Sequence, residues 1–400
     1  MPRTVTASTM RRINRSAVLD YIRQNNPTSR SAIARNLSLS LPTVMRIMED
    51  LMEEDLVRLQ GTSECTGGRG RPKPLIEFNS DAYAIIGVDL GGTKMFGTIA
   101  DLGGNVQDEI YMTHDEAGPS DPFERLVLLI HRLADSPRAD GQRIRGIGVG
   151  APGLTLVPEG IVSWAPSLQW RDFPLQDALF ERFDVPVFVE NDVNLAALGE
   201  WGFGAGRGMQ SVVAIAIGTG IGAGIVVNGS LHRGHNQAAG EIGYVLPDLT
   251  YLGQRYNGFG ALESLASGTG IAERARALRA QQSTPTELRT RDELTAEDVF
   301  CAARAGIPWA QQVVSETVDY LSLAIANIQS LFDPEVIVLG GGVAQSADLL
   351  IGPILERLEG ATLVRPKLVP SELGRRAAVM GAIMMVLNAT TDRISVRKWE

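Results

Sequence analysis

At 400 residues, with 44% hydrophobic and 21% charged side chains, the chain has the composition of an ordinary folded globular protein and is too long for one compact core, so two or three domains are expected. Two cysteines, Cys65 and Cys301, give no disulfide framework and fit a reducing compartment, Met1–Asn14 lacks the apolar h-region of a secretory signal, and the run Val212–Val227, broken by four glycines, is shorter than the roughly 18 residues of a membrane span. The net charge of -9 is uneven: residues 1–80 carry 12 Lys+Arg and 8 Asp+Glu, and Asp20 is the only carboxylate before Glu49, which gives a start suited to phosphate contact on an acidic body that would repel a polyanion.

Ile13, Ala17 and Tyr21, with Val18 and Ile22, recur at helical spacing and predict an amphipathic helix closed by Asn25-Asn26-Pro27. Ser29 can cap a second, short helix whose apolar side is Ile33, Ala34 and Leu37. After a turn, Ser40 caps a third helix with Pro42 in its first turn, where a missing N–H costs little. There Val44, Ile47, Met48 and Leu51 fall at i, i+3, i+4 and i+7 and face a core, while Ser40, Thr43 and Arg46 look outward. That is the layout of a recognition helix, whose N-terminal polar residues meet base edges in the major groove. Predicted strands Leu56–Leu59 and Leu75–Phe78 flank a wing rich in Gly, Arg, Lys and Pro. Its segment Gly68-Arg69-Gly70-Arg71-Pro72-Lys73 can lie in an A·T-rich minor groove with Arg69 and Arg71 pointing inward. A protein-interaction unit with a solvated basic linker is the alternative.

From Asp81 the chain alternates β-branched strands, glycine turns and helices, an α/β organisation. Predicted strands Ile85–Leu90 and Met95–Ala100 enclose Gly91-Gly92-Thr93-Lys94. A Walker A loop would need a helix after its glycines. Strand-turn-strand instead fits the phosphate hairpin of an actin-like ATPase, with Asp89 placed to hold Mg²⁺ through water. A second such turn is Gly218-Thr219-Gly220. A third, Gly340-Gly341-Gly342, follows the predicted strand Val336–Leu339, where an adenosine would lie. Glycines kept for close packing would look the same. Glu190-Asn191-Asp192-Val193-Asn194 follows the predicted strand Val185–Val189, at the carboxyl end where open α/β sheets place their sites. Asp192 there could take a proton from a sugar hydroxyl while Asn191 fixes a neighbouring one. A helix N-cap is the other reading.

Together with Gly150-Ala151-Pro152-Gly153, Gly240-Glu241-Ile242-Gly243 and Leu262-Glu263, these motifs make the chain resemble the ROK family (repressors, open reading frames and sugar kinases) over roughly Met10 to Leu387, in particular its regulator branch similar to xylose and N-acetylglucosamine repressors. The resemblance implies a winged helix-turn-helix over 1–79 followed by a two-lobed actin-like ATPase (ribonuclease H-like) sugar-kinase fold. Lobe 1 would span 80–192, completed by a C-terminal helix at about 375–390, and lobe 2 would span 193–374. It implies Asp192 as base, Asn191, Asp192, Glu241, Tyr244 and Glu263 around a monosaccharide, and Asp89, Gly91, Gly92, Thr93, Lys94, Gly218, Thr219, Gly220, Gly340, Gly341 and Gly342 around Mg-ATP.

Two departures stand out. Tyr244 replaces the histidine that in family kinases touches both sugar and zinc. The stretch before Leu262-Glu263 has lost the family's zinc-binding cysteines, with Gln254, Tyr256 and Ala261 in their places. No zinc is therefore expected, and packing by Tyr251, Tyr256 and Phe259 is expected to hold the loop. His232 and His235 lack further ligands and read as surface or hydrogen-bonded residues. The resemblance implies a cytoplasmic, sugar-responsive repressor of carbohydrate-use genes, acting on operator DNA as a homodimer or dimer of dimers. The alternative it leaves open is an active ATP-dependent sugar kinase that carries a DNA-binding domain.

Overall fold

The computed structural model describes residues 7–62, 74–113, 118–139, 141–256, 260–281 and 294–390. The winged module comprises α1 (Ala7–Gln24), α2 (Arg30–Asn36), α3 (Leu41–Glu53) and the antiparallel pair β1 (Val57–Thr62) and β2 (Pro74–Phe78). Ser29 and Ser40 cap α2 and α3, accepting from the N–H groups of Ala32 and Thr43. Val44, Ile47, Met48 and Leu51 are buried, as their spacing predicts. On α1 the expected face is rotated: Val18, Leu19 and Ile22 form the buried stripe, while Ile13, Ala17 and Tyr21 are only half-buried.

The body repeats one topology twice. Its first sheet holds β3 (Tyr83–Leu90), β4 (Lys94–Asp101), β5 (Val106–Thr113), β6 (Arg143–Ala151) and, after the small sheet β7 (Leu154–Leu156), β8 (Ile161–Ala165) and β9 (Trp170–Phe173), β10 (Val187–Asn191). The order is β10-β6-β3-β4-β5, an antiparallel meander β3-β4-β5 extended by β6 and β10 running parallel to β3. Helices α4 (Pro122–Ala134) and α5 (Leu175–Phe183) accompany it, and α6 (Asp192–Phe203) leads out of β10.

The second sheet holds β11 (Val212–Ile217), β12 (Ile221–Val227), β13 (Ser230–Leu231), β14 (Val336–Gly340) and β15 (Leu368–Pro370) in the order β13-β12-β11-β14-β15, again antiparallel on one side and parallel on the other. Helices α7 (Ala261–Ala266), α8 (Gly268–Gln281), α9 (Ala296–Arg304), α10 (Pro308–Phe332) and α11 (Ala347–Arg357) surround it, and α12 (Ala377–Thr390) ends the described chain. Each half opens with a glycine-turned hairpin, β3–β4 or β11–β12, at the same place in its sheet. This is the two-lobed actin-like ATPase arrangement.

Helices α6 and α12 lie between the two sheets. Missing side chains make that layering possible: a Cβ at Gly381 would collide with the Leu195 carbonyl of α6, and one at Gly224 of β12 with Ala197 on its other side. Close helix–helix and helix–strand approach of this kind transmits displacement, because packed interiors are stiff. The winged module is not a loose appendage. Ile47, Leu51, Ile76 and Phe78 share one continuous apolar core with Tyr83 and Ile85 of β3 and with Met380, Ile383 and Leu387 of α12. Among the described residues no helix is long and apolar enough to cross a membrane.

Candidate functional site

Strand register brings the first group of residues together. Asp89 of β3 lies beside Gly150 of β6, which lies beside Glu190 of β10, all at the carboxyl ends of parallel strands. The strand carrying the motif runs two residues further than expected, through Asn191, so Asp192 is the first residue of α6. It lies over Gly150, where a Cβ would come within 3.3 Å of the Asp192 Cα. Asn191 is the N-cap: its Oδ1 accepts from the Asn194 N–H at 3.0 Å, and its Nδ2 donates to the Gly153 carbonyl at 3.1 Å and to Asp192 Oδ1 at 3.0 Å. The capping reading thus holds for Asn191, whose amide also orients Asp192. Asp192 Oδ1 accepts from the Val193 N–H as well, at 2.9 Å. Both of these donors fall on Oδ1 of the carboxylate.

Electrostatics shows what surrounds that carboxylate. Burial, then the Asp89 charge and more weakly Glu241, push Asp192 up to about 7. Burial pushes Asp89 up to about 6, against the pull of Lys94. Each carboxylate keeps some surface open to the cleft, yet protein closes the other sides, which disfavours the charged form. Glu241 and Glu263 are also raised, chiefly by burial, and Glu241 adds to the rise at Glu263. Tyr244 is raised by burial and by both glutamates, so it belongs to the same cluster although its ring is largely exposed. Asp89, Asp192, Glu241, Tyr244 and Glu263 thus converge on one cleft, with Asn191 at its edge. Several acceptors of this kind suit a ligand rich in hydroxyl donors.

Glu263 links this cleft to the second glycine turn, because a Cβ at Gly220 would collide with its carboxylate. That turn is closed by the Gly218 N–H on the Gly220 carbonyl at 2.9 Å, and it docks on α8 through the Gly268 N–H on the Gly218 carbonyl at 2.7 Å. Thr219 is exposed. The third turn meets the second: Gly341, with φ +84°, abuts the end of β11 at Ile217. Gly218 and Gly342 face open space on the side where a Cβ would stand. The first turn is packed on Ser167 at Gly92 and closed by the Gly91 N–H on the Lys94 carbonyl at 2.9 Å, with Thr93 and Lys94 exposed.

In place of a metal-binding loop, polar side chains tie residues 248–256. The Asp248 side chain accepts from the Thr250 N–H at 2.6 Å, Gln254 Nε2 donates to the Thr250 carbonyl at 2.6 Å, and Tyr256 Oη donates to Gln254 Oε1 at 3.2 Å. Burial, then the neighbouring Tyr320, raises the Tyr251 hydroxyl above its ordinary value. Phe259, one of the three aromatic residues expected to hold the loop, lies outside the described residues. Among the described residues no three or more His, Cys, Asp or Glu are grouped to hold a metal.

On the winged module, Ser40 and Thr43 hydroxyls pair at 2.8 Å at the start of α3, and Arg46 is exposed one turn on. Arg69 and Arg71 lie outside the described residues. Sequence reasoning missed Leu41 and Met45, whose exposed side chains share the outward face with Arg46 and are suited to thymine methyl groups. It also missed the ties between module and body. Glu54, the C-cap of α3, pairs with Arg15 at 2.8 Å and Arg145 at 3.5 Å, Asp55 pairs with Arg143 at 3.2 Å, and Arg145 donates to the Thr390 carbonyl at the end of α12 at 2.7 Å.

The ROK family profile matches residues 85–389. The chain belongs to the ROK family. A winged helix-turn-helix DNA-binding profile matches residues 11–58. Over nearly its whole length this ROK chain is similar to the xylose repressor of Caldicellulosiruptor bescii, 28% identical over 386 residues that cover 95% of this chain and 96% of that one. Over the body alone it is 38% identical to the glucokinase of Halalkalibacterium halodurans, across 314 residues covering 75% of this chain and 94% of that one. Among solved structures, a ROK family transcriptional regulator described as a homologue of the E. coli MLC protein superposes with a TM-score of 0.82 at 29% identity, covering 96% and 97% of the two chains. A ROK family glucokinase from Streptomyces griseus, solved with glucose and AMPPNP, gives a TM-score of 0.65 at 28% identity over 76% of this chain and 98% of that one.

Proposed function

We propose that the protein is a sugar-responsive repressor that holds operator DNA through its winged module and lets go when a neutral monosaccharide fills the carboxylate cleft. The observation that carries this reading is continuity. Asp192 opens α6, α6 packs on α12 through Gly381, α12 shares its core with α3, and the end of α12 meets Arg145 beside Glu54. A sugar that draws the lobes together would move α6 against α12 and change the pose of α3. In a homodimer or dimer of dimers in the cytoplasm, that change would spoil the match to operator half-sites. A near-complete switch needs the sugar to favour one state by roughly 5 kcal/mol. In this reading Asn191, Asp192, Glu241, Tyr244 and Glu263 hold the sugar, and Ser40, Thr43 and Arg46, with Arg69 and Arg71 of the wing, hold the DNA.

The repressor likeness spans almost the whole chain, DNA-binding module included, and supports the choice. The test is a sugar panel read two ways, by rise in melting point and by release of a labelled operator. A protein that no monosaccharide stabilises, and whose operator complex none dissociates, would overturn the reading.

A second reading, an active kinase with a DNA-binding arm, is favoured by the glucokinase likeness of the body and by Asp192. A carboxylate with a value of about 7 suits a general base near neutrality. In this reading Mg-ATP would supply the phosphoryl group, Asp89, Thr93 and Lys94 with the turns at Gly91-Gly92, Gly218-Thr219-Gly220 and Gly340-Gly341-Gly342 would hold it, and Asp192 would receive the sugar hydroxyl proton. ADP release across the same panel, abolished in Asp192→Asn, would establish this reading over the first.

A further inference from the structure

Glu190 is the most enclosed carboxylate near the cleft, its side chain 1% exposed. Its Oε1 accepts from the Asn191 N–H and from Asn194 Nδ2, both at 3.0 Å, and its Oε2 from Arg233 Nε at 2.6 Å. Asn191 and Asn194 belong to the cap and first turn of α6. Arg233 comes from the other lobe, on the segment between β13 and the turn that carries Glu241.

That segment is held firmly. The Arg233 carbonyl accepts from the Ala239 N–H at 3.0 Å, and the Gly240 carbonyl accepts from the Ala223 N–H of β12 at 2.8 Å. Gly240, at φ +93°, lies so close to Ala223 that no Cβ would fit. One tied loop therefore carries both Arg233, which is bonded to Glu190 next to the Asn191–Asp192 cap, and Glu241, whose charge reaches Asp192.

We propose that Arg233 is a positioning residue of the sugar site. Through Glu190 it fixes the cap of α6, and with it Asn191 and Asp192, relative to Glu241, so the two walls of the cleft hold one defined ligand-free spacing from which a sugar draws them together. Removing the guanidinium leaves a buried carboxylate without its cation. That carboxylate must draw in water or a proton, and either disturbs the two amide donors that now define the cap. A site assembled in advance binds more tightly because less ordering remains to be done. The inference rests on reading the cleft as the sugar site, but its structural half is measurable without any sugar.

The test uses the full chain with Cys65 and Cys301 replaced by serine and spin labels at Arg132→Cys and Gln311→Cys, exposed positions on α4 and α10. Interlobe distance distributions are recorded without ligand by double electron–electron resonance. Effector affinity is then taken by calorimetry with the sugar that most raises the melting point. Arg233→Gln is expected to broaden or shift the distribution and to weaken the sugar by at least about tenfold, in line with the cost of a misplaced group. Arg233→Lys, which keeps the charge, should recover part of both. The double variant Arg233→Gln with Glu190→Gln, which removes the uncompensated charge, should be better ordered than Arg233→Gln alone. An unchanged distance distribution in Arg233→Gln, or a double variant no better than the single one, would overturn the proposal. A wild-type protein that takes up no sugar would sink the sugar-site reading, while the distance arm would still decide the strut.

Discussion

Replacing Asp192 by asparagine should stabilise the ligand-free protein and silence it. In the folded chain the carboxyl of Asp192 is pushed up to about 7 by burial and by the neighbouring Asp89 and Glu241 charges, from an ordinary value of 3.8. The sign follows from where the proton sits. Between about pH 4 and pH 7 the folded state holds a proton that the unfolded state has released, so stability falls as pH rises through that window and stays low above it. A rise of this size is worth roughly 4 kcal/mol if nothing relaxes, and nearer 2 kcal/mol once water in the open cleft solvates the carboxylate. Asparagine keeps an oxygen for the Val193 N–H and the Asn191 amide and removes the second charge near Asp89. The variant should therefore melt several degrees above wild type at about pH 8. The gap should shrink steadily toward about pH 5. Sugar-dependent operator release should be lost at every pH. Melting curves of both proteins across that range are the assay. A gap independent of pH, or a variant less stable than wild type at about pH 8, would refute the argument that Asp192 is held ionised at a cost.

Three further outcomes follow from the same geometry. Arg46→Ala should weaken operator binding and relax base preference at one position by roughly 1–3 kcal/mol, seen in competition against single-base operator variants; uniform weakening across all variants would make Arg46 a phosphate contact instead. Glu263→Gln should leave operator affinity in place and raise the sugar needed for release, at roughly 1–3 kcal/mol or about 5- to 150-fold, and release at the wild-type sugar concentration would remove Glu263 from the site. The purified protein should carry no stoichiometric zinc and should keep its melting point in chelator, because Gln254 and Tyr256 are committed to each other and Ala261 is buried; one zinc per chain by elemental analysis would contradict this.

What the sequence disclosed was whatever local pattern controls. The buried face of α3, its Ser40 cap, the hairpins with their glycine turns, and the acidic and amide residues at the end of β10 all follow from spacing and residue type within a few positions. The face of α1 did not. Ile13-Ala17-Tyr21 and Val18-Ile22 are overlapping stripes on one helix, and only the packing of α1 on the rest of the module chooses Val18, Leu19 and Ile22. The ion pairs were invisible for a different reason. Glu190–Arg233 and Glu54–Arg145 join residues 43 and 91 positions apart, and a charged side chain in a sequence reads first as a solvated one. The glycines were legible as a class but not one by one. Gly222 proves to make room for Val193 of α6, whereas Gly218 faces open space.

The charge inside the cleft narrows what can enter it. Of the four carboxylates Asp89, Asp192, Glu241 and Glu263, Asp89 and Glu241 raise Asp192 and Glu241 raises Glu263, while Lys94 pulls on Asp89 and Arg233 is bound to Glu190. A phosphosugar would add up to about two negative charges to a cluster that already raises its own proton affinity. A neutral sugar does the opposite. Each hydroxyl supplies a donor to an oxygen that otherwise must keep a proton or face a like charge. The same carboxylates that cost stability in the empty cleft thus become the source of affinity when a polyol fills it. If the cleft controls the winged module, the signal it answers to is the free sugar, before phosphorylation has given it a charge.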